Sequence, residues 1–236
     1  MQVIKKGSLY QLAFMPRFFP VNCYMVEEES SLTLVDTALP YSWTGILQVA
    51  EQIGKPITKI VLTHGHGDHV GSLDTLKEKL PSVETYISKR DARLLKGDRS
   101  LDPTEPETPI RGGVPKDVRT TPDFLLEDGD EVGSLVAIST PGHTPGSMSF
   151  IDKRTLALIA GDAFQTRGGM AVSGQIRPTF PFPAMATWNK EVAIESANKL
   201  LGFNPSLLAV GHGKMIDQPN HLIDRAIQEA NEHVNK

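Results

Sequence analysis

A single cysteine, Cys23, stands in a chain of 236 residues, so no internal disulfide can form and a zinc site rich in thiolates is excluded. Its place in an alternating, strand-like run marks it as a packed core residue rather than a reactive thiol. Long apolar runs are missing too. No stretch approaches the ~18 residues a membrane span needs, and the opening Met1-Gln2-Val3-Ile4-Lys5-Lys6-Gly7 lacks the apolar centre of a secretory signal. A cytoplasmic protein with no membrane partner is the expectation. Positive charge is in deficit, with 24 Lys and Arg against 28 Asp and Glu for a formal net charge of −4. That balance offers no basic footprint for nucleic acid, so a nucleic-acid partner is not expected. Hydrophobic content of 39% with 22% charged residues suits a globular protein with a substantial core and excludes disordered or collagen-like chains.

Metal-competent side chains are concentrated. Of seven histidines, three fall in Thr63-His64-Gly65-His66-Gly67-Asp68-His69, together with a carboxylate. His143 and His212 sit in glycine-bracketed turns, Pro141-Gly142-His143 and Gly211-His212-Gly213, whereas His221 and His233 lie outside such contexts. Imidazole is the commonest transition-metal ligand, and carboxylates bind the same cations. With Asp162 in Ala160-Gly161-Asp162-Ala163, the candidate metal ligands are His64, His66, Asp68, His69, His143, Asp162 and His212.

Periodicity places these residues between regular elements. Val3–Ala13, Asn22–Glu27 and Ser31–Asp36 read as consecutive antiparallel strands. A helix is expected over Ser42–Ile53, stopped by Gly54-Lys55-Pro56, and a short buried strand over Lys59–Leu62 delivers the first motif into a glycine-containing loop. A helix from Val70 to about Leu80, a strand over Val83–Ile87 and a short helix over Ser88–Leu95 follow. From Gly97 to Pro122 five prolines and alternating charges predict a long excursion over the surface, either a plain connector or part of a substrate-binding rim. The second half repeats the scheme with strands over Glu131–Thr140, Ser147–Ile151, Leu156–Ile159 and Leu207–Val210. A helix capped by Thr187 is expected to run to about Leu201, and a closing amphipathic helix spans Pro219–His233. Because the motifs run from residue 64 to residue 212 and must converge, residues 1–236 are expected to form a single domain.

The ordered set His-x-His-x-Asp-His, Pro-Gly-His-Thr-Pro-Gly-Ser, Gly-Asp-Ala and Gly-His-Gly resembles the metallo-beta-lactamase-fold hydrolases over nearly the whole chain. Asn22-Cys23-Tyr24-Met25-Val26 and Leu34-Val35-Asp36-Thr37-Ala38 are similar to the family's opening strands. The resemblance implies an α/β fold, a four-layer αββα sandwich, with two divalent metal ions at one edge. By the family pattern His64, His66 and His143 would hold one ion, Asp68, His69 and His212 the other, and Asp162 would bridge them. Nitrogen and oxygen donors suit zinc best and also admit manganese, iron or cobalt. Asp68 is the candidate catalytic residue, as ligand and as proton acceptor or donor. Asp36 reads either as a residue orienting the metal loop through hydrogen bonds or as a strand-end turn residue.

An enzyme is implied: a dinuclear metal-dependent hydrolase attacking a small ester, lactone or thioester with a metal-bridging hydroxide. Asp162 argues against a true beta-lactamase and for the glyoxalase-II-like and lactonase-like branch. Within that branch, only 24 residues follow His212, which argues against the helical glutathione-binding domain of glyoxalase II, and Gln165 stands where lactonases carry a tyrosine. A phosphodiesterase using the same metal pair and a mononuclear-iron sulfur dioxygenase are the alternatives. The small-molecule substrate could meet the apolar segments Phe14–Pro20 and Phe180–Met185, which equally suit internal packing or a homodimer interface. Lys214 and Arg17 are candidate receivers of an anionic substrate group.

Overall fold

The computed structural model describes residues 1–234. Its first sheet holds β1 (Gln2–Lys6), β2 (Leu9–Phe14), β3 (Val21–Glu27), β4 (Leu32–Val35), β5 (Ile57–Val61), β6 (Glu84–Ser88) and β7 (Phe124–Leu126) in that order. The pairs up to β3–β4 are antiparallel, and those from β4–β5 onward are parallel. The parallel crossovers carry α1 (Trp43–Ile53), α2 (Gly67–Val70), α3 (Leu73–Lys79) and α4 (Ala92–Leu95). The second sheet is built from β8 (Glu131–Val132), β9 (Leu135–Ser139), β10 (Met148–Asp152) and β11 (Ala157–Ile159), extended by β14 (Leu207–Ala209) and β15 (Ile216–Asp217). A small hairpin of β12 (Phe164–Gln165) and β13 (Ala171–Val172), then α5 (Phe182–Ala186) and α6 (Lys190–Leu201), separate β11 from β14, and α7 (Asn220–Val234) closes the described chain.

Strand alternation makes the layers. In β3, Cys23 and Met25 face the cluster that also takes Ile46, Val49, Leu73 and Leu76 from α1 and α3, while Tyr24 and Val26 face the opposite sheet. In the second sheet, Leu135, Phe150, Ile159 and Ala209 meet Tyr24, Val35 and Val61. Ile138, Leu158 and Leu208 point the other way, onto Ala193, Ala197 and Leu200 of α6 and Ile223 and Ile227 of α7. Helices, two face-to-face sheets and helices again form the αββα sandwich, each strand satisfying two cores because successive side chains point to opposite faces.

Several boundaries differ from the sequence reading. Val3–Ala13 is not one strand but a hairpin folded at Gly7, and Glu131–Thr140 is likewise two strands folded at Gly133. Both glycines have positive φ, 58° and 62°, which a tight turn requires and a strand-period pattern does not reveal. The helix expected over Val70–Leu80 is two pieces, α2 and α3, so Asp68 and His69 lie on a helical turn rather than in a loop. Thr187 does not cap α6; the cap is Asn189, whose side chain accepts the Val192 N–H at 3.0 Å. Strands β7, β12, β13 and β15 had no sequence signal, being two or three residues long. Residues 97–122 contain no helix or strand, yet they are not only a surface excursion. Ile110 and Val114 are buried with Leu94 and Trp188. Cys23 is fully buried, and burial pushes its thiol well up, as expected of a core residue.

Phe150 lies between the two sheets without solvent contact. Phe150→Ala is expected to cost about 3–5 kcal/mol in urea unfolding, whereas truncation of Phe18, 82% exposed, should stay within about 0.5 kcal/mol.

Candidate metal centre

The chain turns that carry the seven candidate residues meet at one edge of the sandwich. Strand β5 leads to His64 and His66, α2 carries Asp68 and His69, and the β9–β10 turn carries His143. Asp162 sits in the short turn Gly161–Ala163 after β11, and His212 follows β14. Backbone hydrogen bonds close this edge. Met148 N–H donates to the Thr63 carbonyl at 2.8 Å, Asn22 N–H to Gly211 at 2.9 Å, and Gly211 N–H to Gly161 at 2.9 Å. The turns are thus joined across both sheets.

Three overlapping groups bring their donor atoms within 4.8 Å of one another: His64, His66 and His143; His64, His69 and Asp162; Asp68, His69 and His212. Asp162 faces both sides of the cluster. Its Oδ1 lies 3.5 Å from His69 Nε2, and its Oδ2 lies 3.4 Å from His143 Nε2 and 3.2 Å from His212 Nε2. Gly211 has to be glycine for this packing, because a Cβ there would stand 2.0 Å from Asp162 Oδ1.

Hydrogen bonds on the outer side decide which nitrogen each imidazole presents inward. His69 Nδ1–H donates to Asp36 Oδ2 at 2.8 Å, and His212 Nδ1–H donates to the Pro20 carbonyl at 2.7 Å. Thr63 Oγ1 donates to Asp36 at 2.8 Å and is left to accept His64 Nδ1–H at 3.0 Å. A longer relay holds His143. Thr187 Oγ1 donates to the Pro183 carbonyl at 2.8 Å, Ser173 Oγ donates to Thr187 at 2.8 Å, and Ser173 accepts His143 Nδ1–H at 3.1 Å. His66 is reversed, its Nε2–H donating to the Arg111 carbonyl at 3.0 Å. Four histidines therefore turn Nε2 inward and His66 turns Nδ1.

These residues fit a bound cation. His66 Nδ1 and His143 Nε2 stand 3.0 Å apart with the outward proton of each committed elsewhere, so two lone pairs face each other. His64 Nε2, His69 Nε2 and Asp162 Oδ1 are buried and have no hydrogen-bond partner among the described residues. Leaving such atoms unpaired costs about 1–3 kcal/mol each, and a cation satisfies several at once. The donors are imidazole nitrogen and carboxylate oxygen without thiolate, a set for zinc and its first-row neighbours.

Electrostatics divides the cluster. Burial drives the His64 and His66 imidazoles below their usual range and takes His143 down to about 3. Burial also opposes charge on His69 and His212, but there Asp162 prevails, and both are raised. Burial likewise opposes the Asp162 carboxylate, yet His212, His69 and His143 hold it well below the carboxylate range. Asp68, pulled down by His69 and His212 against its burial, is the one candidate ligand partly open to solvent, with 29% of its side chain accessible.

The structure resolves the two readings of Asp36: it orients His69 and Thr63. Sequence reasoning missed Thr63, Ser173 and Thr187, whose hydroxyls carry no motif, and the Pro20 and Arg111 carbonyls, which no side-chain pattern reveals. Arg111 belongs to the proline-rich excursion, and Gly67 N–H donates to the Gly113 carbonyl of the same segment at 2.8 Å. Gln165 is not open to a substrate, because its amide donates to the Arg167 carbonyl at 2.9 Å and the Phe180 carbonyl at 3.1 Å. Lys214 and Arg17 have exposed side chains.

The family model described as Metallo-beta-lactamase superfamily matches residues 16–212. The chain is 58% identical to the uncharacterized protein YobT of Bacillus subtilis (strain 168), over 98% of this chain and 99% of that one. It is 33% identical to the probable metallo-hydrolase YflN of the same bacterium, over 81% and 80% respectively. Among solved structures, the DIM-1 metallo-beta-lactamase aligns with a TM-score of 0.73 at 16% identity over 98% of this chain and 97% of that one. The di-iron-bound form of TTHA1623 aligns with a TM-score of 0.65 at 24% identity over 90% and 96%. At those identities the structural likeness shows the fold alone.

Protons on His69 and His212 must leave before their inward nitrogens can bind a cation, whereas His64, His66 and His143 are already neutral. Metal affinity at the Asp68–His69–His212 group is therefore expected to fall by roughly tenfold per pH unit, for each proton displaced, as pH drops below the raised values. Affinity at the three-histidine group should change little over the same range, because burial already holds those imidazoles neutral, below their usual range. Cobalt titrations at pH 6 and pH 8 against a chromophoric chelator check this, and equal loss at both groups would refute it.

Proposed function

We propose that this chain, which belongs to the metallo-beta-lactamase superfamily, is a dinuclear metal-dependent hydrolase of small esters, lactones or thioesters with an apolar acyl part. The observation that carries this reading is the inward convergence of five imidazoles, each aimed by an outer hydrogen bond, around a carboxylate that faces both groups. His64, His66 and His143 would hold one ion and Asp68, His69 and His212 the other, with Asp162 shared between them. Zinc is the preferred ion for this donor set, and manganese, iron or cobalt could occupy it. When bound, such a pair supplies a water deprotonated near neutral pH and Lewis-acid polarisation of the electrophile.

The chain's own residues do the rest. Asp68 has the freedom a proton carrier needs: its carboxylate is partly open, ionised, and 3.5 Å from His212 Nε2. From that position the carboxylate oxygen not engaged with the ion could take a proton from the nucleophile and return it to the leaving group. The substrate's acyl part is assigned to an aromatic wall. Phe19 packs on Phe180 and Phe182 with ring centroids 5.1 and 5.0 Å away, and Phe19 and Phe180 lie 5.5 and 5.6 Å from the His212 ring. Phe182 and Met185 remain 51% and 63% exposed, an apolar rim beside the Asp68 side of the centre. Gln165 fixes that wall from behind by holding the Phe180 carbonyl. No donor to the substrate carbonyl is therefore assigned to Gln165.

Elemental analysis of protein purified without added metal is expected to give about two ions per chain, and Asp162→Ala about one or fewer. Asp68→Asn should lower kcat by about 100-fold or more on carbonyl substrates while KM changes little. Assays across thioester, lactone, aryl-ester and phosphodiester panels provide the check. An Asp68→Asn enzyme with undiminished turnover on every accepted carbonyl substrate would falsify the role given to Asp68.

A further inference from the structure

Outside the ligands, the most demanding polar group near the centre is Asp91. Its carboxylate is wholly buried and sits at the start of α4, where β6 has just ended. Among the described residues no Lys or Arg nitrogen lies within ion-pair distance of it. Three donors hold it instead. Oδ2 accepts the Gly65 N–H at 2.9 Å and the Thr144 hydroxyl at 2.7 Å, while Oδ1 accepts the Gly146 N–H at 2.8 Å. Burial pushes this carboxyl up against the pull of those donors, so the arrangement costs stability that a neutral or apolar residue would not.

The three donors come from two places. Gly65 lies between His64 and His66, and Thr144 and Gly146 follow His143. These are the two turns that supply the three-histidine group. Ser88 repeats the connection, its hydroxyl donating to the Gly146 carbonyl at 2.6 Å while accepting the Asp91 N–H at 3.0 Å. Contact is close enough that a Cβ on Gly146 would stand 2.6 Å from Asp91 Oδ1. No equivalent link runs from Asp91 to His69 or His212, whose outer partners are Asp36 and Pro20.

We infer that Asp91 is a positioning residue that clamps the His64–His66 turn to the His143 turn, setting the geometry of one half of the metal pair and not the other. The inference rests on the metal-site reading above. Two acceptor nitrogens at 3.0 Å, His66 Nδ1 and His143 Nε2, repel each other until a cation arrives, and a buried ionic clamp holds their turns together. Substitution by Asn has a directional consequence. The amide oxygen belongs where Oδ2 meets two donors, which leaves the amide NH2 against the Gly146 N–H, donor facing donor. The His143 turn thereby loses one of its two donors to residue 91, the Gly146 N–H, while the His64–His66 turn keeps its own.

The experiment is a stepwise zinc and cobalt titration of the wild type, Asp91→Asn and Thr144→Val, each stripped of metal, with thermal unfolding of the stripped proteins recorded alongside. Wild type is expected to take up two ions. In Asp91→Asn the three-histidine group should bind about 10–100-fold more weakly, the range for loss of an outer hydrogen-bonding partner, with the Asp68–His69–His212 group unchanged. Thr144→Val, which removes one donor and leaves the carboxylate with two, should show a smaller loss at the same group. Equal weakening of both groups, or two unchanged affinities in Asp91→Asn, overturns the clamp. If Asp91→Asn does not fold, Thr144→Val decides by the same selectivity. A wild type that binds no metal would instead overturn the metal-site reading itself.

Discussion

The carboxylate of Asp36 is the interaction on which the centre depends. It accepts the Thr63 N–H and hydroxyl, each at 2.8 Å, and His69 Nδ1–H at 2.8 Å. Through Thr63 it also reaches His64. One buried group at the end of β4 therefore ties the end of β5 to α2 and orients imidazoles in both halves of the cluster. Its backbone stands at φ 62°, a conformation that Asp tolerates better than most residues. The strain is local, and the hydrogen bonds it aligns are shielded from water, where they are strongest.

The same logic repeats around the edge of the sandwich. Asp91 joins two turns as Asp36 joins a strand end to a helix. Asn22, Tyr24 and Gln11 reach from the first sheet to the carbonyls of Val210 and Gly213 on either side of His212. His66, His69, His143 and His212 are thus each held by a group from another part of the chain. Long-range polar links of this kind need strands that are close and rigid, which is what two face-packed sheets provide. Dense apolar packing between those sheets, with Phe150 and Tyr24 fully enclosed, resists the small shifts that would misalign the donors.

The proline-rich segment was the least legible part of the chain. Residues 97–122 lack any period that would indicate helix or strand, and a connector and a rim fit them equally well as sequence. In the folded chain Arg90 and Arg93 pair with Glu105, Asp98 and Asp102, while Ile110 and Val114 pack on Trp188 and Leu94. These contacts carry the Arg111 carbonyl to His66 Nε2 and the Gly113 carbonyl to Gly67 N–H. The segment is therefore part of the centre's outer wall. Its contribution is backbone carbonyl, for which no residue type is a signature.

Sequence alone determined the kind of protein: the identities and order of the seven candidate donors, the alternation that commits β3 and its neighbours to two cores, and the helix faces of α1, α6 and α7. Those features are local, since a period of two or 3.6 and a ligand spacing of two or three residues are written in adjacent positions. Tertiary structure decided what depends on residues distant in the chain: which nitrogen each histidine presents, where the hairpins at Gly7 and Gly133 fold, and that Thr187 supports His143 rather than a helix end. An imidazole has two similar nitrogens and a threonine hydroxyl several available partners. Only the neighbours brought by the fold select among them.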